Sequence, residues 1–366
     1  MENQFIPAAR PEVGEDEKKA VLRVMDSGMV AQGPEVSLFE EEFSQEALGG
    51  AFAHAVNSGT SALHLGILSA GIEPGDEVIV PSFTFAATAN SVAAAGAVPV
   101  FADVDEYFTL DAADVESKIT GKTKAIMPVH LYGHPANMDS LTEIAKNKNL
   151  QIFEDCAQAH LATWDGKQVG TFGEFGAFSF YPTKNMMAAE GGMVSTKNPN
   201  LLRKVGLFRN QGMEVRYQNE VVGFNNRMTD IHAAIGRVQL GKLRGWTEKR
   251  QSNAEYLNTN ISSVITPMTH EKASHVFHQY TILVEDDRDG FQEALKNEFG
   301  VGTGVYYPIP NHELPSLKRY SASALELPRT ARFAAECLSL PVYPSLTEAE
   351  LERIVQAVET VAKAGA

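Results

Sequence analysis

The 366-residue chain is poor in cysteine, in tryptophan and in long apolar runs, and it carries no excess of positive charge. Its two cysteines, Cys156 and Cys337, give no disulfide framework, which fits a reducing compartment, and a chain this long can bury a core without staples. The greasiest stretch, residues 83–102, is alanine-rich and broken by Thr, Asn, Ser and Pro. It reads as a helix and a strand, not a membrane span. Met1-Glu2-Asn3-Gln4-Phe5 lacks the basic-then-apolar pattern of a secretory signal, so the expected location is cytoplasmic. A formal net charge of −15 argues against nonspecific nucleic-acid binding. The acidic runs 12–17 and 40–42 read as solvated helix faces.

What is present is the composition of a globular protein, 44% hydrophobic and 21% charged, with no internal repeat and no low-complexity linker. Short apolar runs at 52–56, 77–80, 98–101, 124–129 and 152–154 read as strands, each bounded by Gly, Pro, Asn or Asp. Helical patterns lie between them at 60–70, 86–95, 111–118 and 138–146. Such alternation predicts an α/β fold, a parallel sheet with helices on both faces, whose ligands bind at the carboxyl ends of the strands. Residues 175–180 and 192–196 read as two further strands. A long helical pattern over 228–257 connects to a remainder that mixes a strand at 276–284, a helix at 290–299, a Gly/Pro/Tyr-rich loop at 301–310 and a final helix at 347–362. This divides the chain into a large domain, 1–240, and a smaller α+β domain, 241–366.

Several residues carry candidate chemistry. Asn57-Ser58-Gly59-Thr60-Ser61 follows a strand and opens a helix, the place where backbone N–H groups bind an anion, although Ser-Gly-Thr is also an ordinary helix cap. Asp155 ends the run Gln151-Ile152-Phe153-Glu154-Asp155 at the ligand-binding edge, where it could equally cap the segment that follows. Glu154 alternates to the other face and reads as structural; Gln158, one turn on, shares the pocket or the surface. Lys184, in Ser179-Phe180-Tyr181-Pro182-Thr183-Lys184, sits between an apolar strand and Glu190-Gly191-Gly192, where glycines let the chain return close to a ligand. An amine, an acid and an anion cup are the groups that pyridoxal phosphate requires. The pairs His130/His134 and His275/His278 lack the spacing and partners of a metal site, so no metal is expected. Gly300-Val301-Gly302-Thr303-Gly304 lacks the strand-to-helix setting of a dinucleotide loop.

Taken together, Asn57 to Leu63, Glu154-Asp155-Cys156-Ala157-Gln158-Ala159-His160, Phe178 to Lys184 with Glu190-Gly191-Gly192, and Gly223-Phe224-Asn225-Asn226-Arg227-Met228 resemble the signature of the DegT/StrS-type sugar aminotransferases. The resemblance runs from about Pro7 to the C-terminal helix. It implies the fold-type I aminotransferase architecture, with a mostly parallel mixed sheet flanked by helices in the large domain, and pyridoxal 5'-phosphate as cofactor. It also implies that Lys184 is the catalytic lysine, holding the cofactor as a Schiff base and shuttling the proton. By the same resemblance Asp155 pairs with the ring nitrogen and Gln158 lies near the ring hydroxyl. Gly59, Thr60, Ser61 and Ser179 serve the phosphate, and Phe85 stacks on the ring. Asn225 reaches the phosphate from the neighbouring subunit of a homodimer, and Tyr306 and His312 line the substrate side. The implied reaction moves an amino group, from L-glutamate, to a keto-sugar linked to a nucleoside diphosphate.

The sequence departs from the family pattern at Met187-Ala188-Ala189, where relatives usually have Thr and Gly. Leu161 stands where glycine commonly follows the histidine, and Gln211 replaces a frequent histidine. These departures put the shape and polarity of the substrate side in question. Two rival readings are a dehydratase on the same scaffold, which carries histidine in place of Lys184, and a regulatory member without turnover.

Overall fold

The computed structural model describes residues 5–321 and 325–365. Two helices, α1 (Glu15–Ser27) and α2 (Pro34–Ala47), precede the sheet. The alternating stretch follows as β1 (Phe52–Val56), α3 (Gly59–Ser69), β2 (Glu77–Pro81), α4 (Ala87–Ala94), β3 (Val98–Ala102), α5 (Ala112–Lys118), β4 (Thr123–Ile126), α6 (Met138–Lys148) and β5 (Gln151–Asp155). Two short strands, β6 (Thr163–Trp164) and β7 (Lys167–Gln168), form a hairpin before β8 (Phe175–Ser179) and β9 (Gly192–Thr196). Next come α7 (Pro199–Arg209) and the 31-residue α8 (Asp230–Asn260). The chain ends with β10 (Ala273–Ser274), β11 (Tyr280–Leu283), α9 (Arg288–Phe299), α10 (Pro328–Glu336), β12 (Cys337–Leu340) and α11 (Glu348–Gly365).

Six helices begin where the sequence offers a side-chain cap. Side-chain oxygens of Ser58, Asp111, Asn137, Asn198, Thr229 and Asp287 accept first-turn N–H groups of α3, α5, α6, α7, α8 and α9. Seven strands form one sheet in the order β1-β9-β8-β5-β4-β2-β3. The pairs from β8 through β5, β4 and β2 to β3 are parallel, while β1–β9 and β9–β8 are antiparallel, so the sheet is mixed. Every residue of β8 and β9 is buried, as expected for strands covered on both faces. A second core gathers Ile6, Leu257, Tyr280, Ile282, Leu338 and Ile354 around the antiparallel pair β11–β12. No helix among the described residues is long and apolar enough to cross a membrane.

Two expectations need correction. The strand expected over 276–284 is only Tyr280–Leu283. Phe277 takes φ 43, a left-handed conformation that breaks a strand, and the Arg250 guanidinium holds its carbonyl at 3.1 Å. The acidic runs are not simply solvated. Glu17 is buried, accepting the Gly14 N–H at 2.9 Å and pairing with Lys242 of α8 at 2.9 Å. Glu40 accepts the Ala55 N–H at 2.8 Å and pairs with Arg209, fastening α2 to β1 and α7.

Candidate active site

The register of β5 against β8 sets the site. Asp155 lies opposite Ala177, so the acid that ends β5 and the turn that follows β8 emerge at the same edge. That turn is tied back on itself, with Lys184 N–H donating to the Tyr181 carbonyl at 2.9 Å and Ala188 N–H to the Phe180 carbonyl at 2.9 Å. It delivers Lys184 to a cavity of about 310 Å³ that Asp155 also lines. Desolvation pulls the Lys184 amine down to about 8, and the negative charge of Asp155 limits the fall. An amine so placed is partly neutral near physiological pH, as a nucleophile must be. Burial pushes the Asp155 carboxyl up, opposed by the Thr88 hydroxyl at 2.8 Å, the Ala157 N–H at 3.1 Å and the charge of Lys184.

At the other end the N-terminus of α3 opens into the cavity through Ser58, Gly59 and Thr60. A side chain on residue 59 would place its Cβ 2.7 Å from the Ser179 Cβ, so glycine is what lets the two segments meet. Gly192 at the start of β9 plays the same part, since a Cβ there would lie 2.3 Å from the Ser58 carbonyl oxygen. The result is a cradle of N–H groups and hydroxyls at the positive end of a helix, a site for an anion.

Part of the wall is aromatic, with Phe85, Tyr181, Tyr306 and Tyr307 lining it. Phe85 lines the cavity yet is 61% exposed, so it is not a core residue. Its ring centroid lies 6.5 Å from that of Tyr307, whose hydroxyl accepts from Gln158 Nε2 at 2.7 Å. His278 also lines the cavity, with Nδ1 3.2 Å from Asn185 Oδ1; because Asn185 Nδ2 donates to the Val276 carbonyl, His278 is the donor of that pair. His160 packs against Phe43, Phe178 and Phe180, and burial pulls its ring down to about 3, so it is neutral.

Of the residues expected in the site, the fold brings Gly59, Thr60, Phe85, Asp155, Gln158, Ser179, Lys184 and Tyr306 to one cavity. Three others lie off its wall. Ser61 turns back to Ser58, giving its N–H to that hydroxyl at 3.1 Å and accepting the Ser58 O–H with its own hydroxyl at 3.0 Å. His312 bonds Ser82 through Nδ1 at 2.6 Å and packs on Phe101. Asn225 is exposed and bridges Asn210. Sequence reasoning passed over Tyr307, His278, Gln279, Glu190 and Thr84, which line the cavity, although each lies in or beside a motif it quoted. Glu154 is structural as expected, taking the N–H groups of Gly170 and Phe172 at 2.7 Å and of Gly173 at 3.0 Å.

The departures from the family pattern also resolve differently than expected. Leu161, Ala189 and Gln211 adopt φ of 67, 61 and 57, the left-handed region that glycine favours. None of them, nor Met187 or Ala188, lines the cavity. At Leu161, Ala189 and Gln211 the departure is one of backbone conformation.

With this geometry in hand, comparisons with known proteins are informative. The family model of the DegT/DnrJ/EryC1/StrS aminotransferases matches residues 11–359. The chain is 36% identical to GDP-perosamine synthase of Escherichia coli O157:H7, over 97% of this chain and 98% of that protein. It is 39% identical to dTDP-3-amino-3,4,6-trideoxy-alpha-D-glucose transaminase of Streptomyces venezuelae, over 96% and 94%. The crystal structure of S. venezuelae DesV in complex with a ketimine intermediate superposes with a TM-score of 0.92 at 38% identity, covering 95% of each chain.

Proposed function

The chain belongs to the DegT/DnrJ/EryC1/StrS aminotransferase family, and from that premise we propose that it transfers an amino group from L-glutamate to the keto carbon of a nucleotide-linked sugar. Pyridoxal phosphate is the cofactor of this family. The residues present fit it: the helix-end cradle that only glycine at 59 permits suits a phosphate, and the acid and the amine line the same cavity. When bound, the group supplies an electron sink that lets an amino group leave one carbon and join another.

In this reading the chain's own residues bind, orient and move a proton. The N–H groups of Gly59 and Thr60 and the Ser179 hydroxyl hold the phosphate. Asp155 would favour a protonated ring nitrogen, Gln158 would serve the ring hydroxyl, and Phe85 would offer an apolar face to the ring. Lys184 would hold the cofactor covalently, and its amine, neutral when free, would be the base that takes and returns a proton in the cavity. Tyr306 stands on the substrate side. We place Ser61 and His312 behind the contact residues, acting through Ser58 and Ser82.

We further propose a cytoplasmic homodimer in which Asn225 serves the partner's site. The supporting observation is the exposed apolar hairpin before it, with Tyr217 79% and Val222 87% exposed. The single observation that carries the catalytic reading is the depressed Lys184 amine sharing a cavity with buried Asp155. Purified protein is expected to be yellow, and L-glutamate to convert its absorbance to that of the pyridoxamine form. A colourless protein indifferent to added pyridoxal phosphate would sink the proposal. A panel of keto-sugar nucleotides, assayed for amino product, identifies the acceptor.

A further inference from the structure

Thr88 lies in the first turn of α4, one turn beyond Phe85, and is fully buried. A threonine near a helix start ordinarily faces solvent or caps the helix. Here it does neither. Its hydroxyl reaches sideways to Asp155 Oδ2 at 2.8 Å, and toward an ionised carboxylate a hydroxyl can only donate. The other oxygen, Oδ1, accepts the Ala157 N–H at 3.1 Å. Each carboxylate oxygen therefore has one fixed donor, and rotation about the Cβ–Cγ bond of Asp155 is blocked. Thr88 is not on the cavity wall, so it influences a bound group through its neighbours, Asp155 at 2.8 Å foremost and the Thr84 hydroxyl at a longer 3.5 Å. Among the groups that oppose the effect of burial on this acid, Thr88 is the largest.

We propose that Thr88 is a positioning residue of the reaction, fixing the Asp155 carboxylate in the orientation and charge state that keep the cofactor's ring nitrogen protonated. This rests on the assignment of Asp155 made above. Phe85 lies just before α4 and Thr88 in its first turn, with the Thr88 N–H donating to the Phe85 carbonyl at 3.2 Å, so one short segment supplies both the ring-face aromatic and the lock on the acid. Without the hydroxyl, Oδ2 loses its protein donor in a buried setting and the carboxylate becomes more basic, so a proton shared with the ring nitrogen shifts toward Asp155.

The test compares Thr88→Val, which keeps the shape and deletes the hydroxyl, with Thr88→Ser, which keeps the hydroxyl. Apoenzyme is reconstituted with pyridoxal phosphate labelled with nitrogen-15 in the ring, and the ring resonance and cofactor dissociation constant are measured. Thr88→Ser is expected to match wild type. Thr88→Val is expected to move the resonance toward the unprotonated ring and weaken cofactor binding about tenfold, the scale of one lost charge-assisted hydrogen bond. Its kcat should fall while the KM for the amino donor holds. Should Thr88→Val melt early, Thr88→Ala carries the same expectation. Asp155→Asn is measured in parallel. If it loses ring protonation while the Thr88 variants lacking the hydroxyl keep it, the role of Thr88 is overturned. If Asp155→Asn keeps a protonated ring and wild-type affinity, the assignment of Asp155 fails, and the role of Thr88 with it.

Discussion

The side-chain amide of Gln158 donates to the Tyr307 hydroxyl at 2.7 Å, joining the loop after β5 to a loop 149 residues further along the chain. The amide can face only one way, because its oxygen accepts the Tyr132 N–H at 2.7 Å. Tyr307 is therefore an acceptor on that side and keeps its own proton for the cavity it lines. It does so from a left-handed backbone position, φ 60, which the surrounding contacts must hold.

Tyr307→Phe deletes this acceptor and leaves Gln158 Nε2 unsatisfied in a buried setting. A loss of about 1–2 kcal/mol is expected. Chemical denaturation of the apoprotein measures it, and a midpoint equal to wild type contradicts the bond.

Lys184 should be the pH-sensitive amine of the apoprotein. Burial lowers it to about 8, so its neutral, reactive fraction rises as pH increases through that value and is complete well below the range of an ordinary lysine. Capture of pyridoxal phosphate, fixed by borohydride and read as bound label, should follow a curve with its midpoint near 8. Lys184→Ala should abolish the label; a label unchanged in that variant assigns the chemistry to another lysine.

The neighbouring acids Glu154 and Asp155 should fail in opposite ways. Glu154→Ala leaves the N–H groups of Gly170, which is buried, and of Phe172 and Gly173, which are partly buried, without their acceptor and should cost about 3 kcal/mol of stability. Asp155→Asn removes a charge that burial opposes, so the apoprotein's stability should change by less than about 1 kcal/mol while cofactor binding collapses. Unfolding curves and borohydride trapping on both variants separate the two roles. Equal destabilisation would refute the distinction.

Ala189→Gly should stabilise the fold. A left-handed residue other than glycine carries a cost of about 1–2 kcal/mol, against about 0.4–1 kcal/mol for the extra freedom glycine gives the unfolded chain. With Ala189 at φ 61, the balance favours glycine by about 0.5–1 kcal/mol, measurable as a higher denaturation midpoint. A lower midpoint would show that the alanine methyl packs usefully.

The helix starts were legible because a cap is a local feature: a side-chain oxygen at Ser58, Asp111 or Asn137 reaches an N–H two or three residues on. The central strands were legible because they are short apolar runs between turn residues. Helices α7 and α10 were not assigned, and α1 and α2 were read only as helical acidic runs without bounds. They depend on contacts such as Arg237 of α8 with Glu35 and Glu42 of α2, which no local period reports. The left-handed positions at Leu161, Ala189 and Gln211 were visible only as departures from a family pattern, because nothing in their side chains calls for positive φ.

The sequence by itself determined the order of chemical groups: a glycine-led helix start, an acid at the end of one strand, a lysine after another. Those choices live on segments of a few residues, where side-chain type and turn chemistry suffice. Tertiary structure alone decided which of their neighbours face the cavity. It turned His312 away and brought in Tyr307, His278 and, behind the acid, Thr88. Those side chains are placed by strand order and loop packing between segments tens to more than a hundred residues apart, and such packing leaves no signature in either segment.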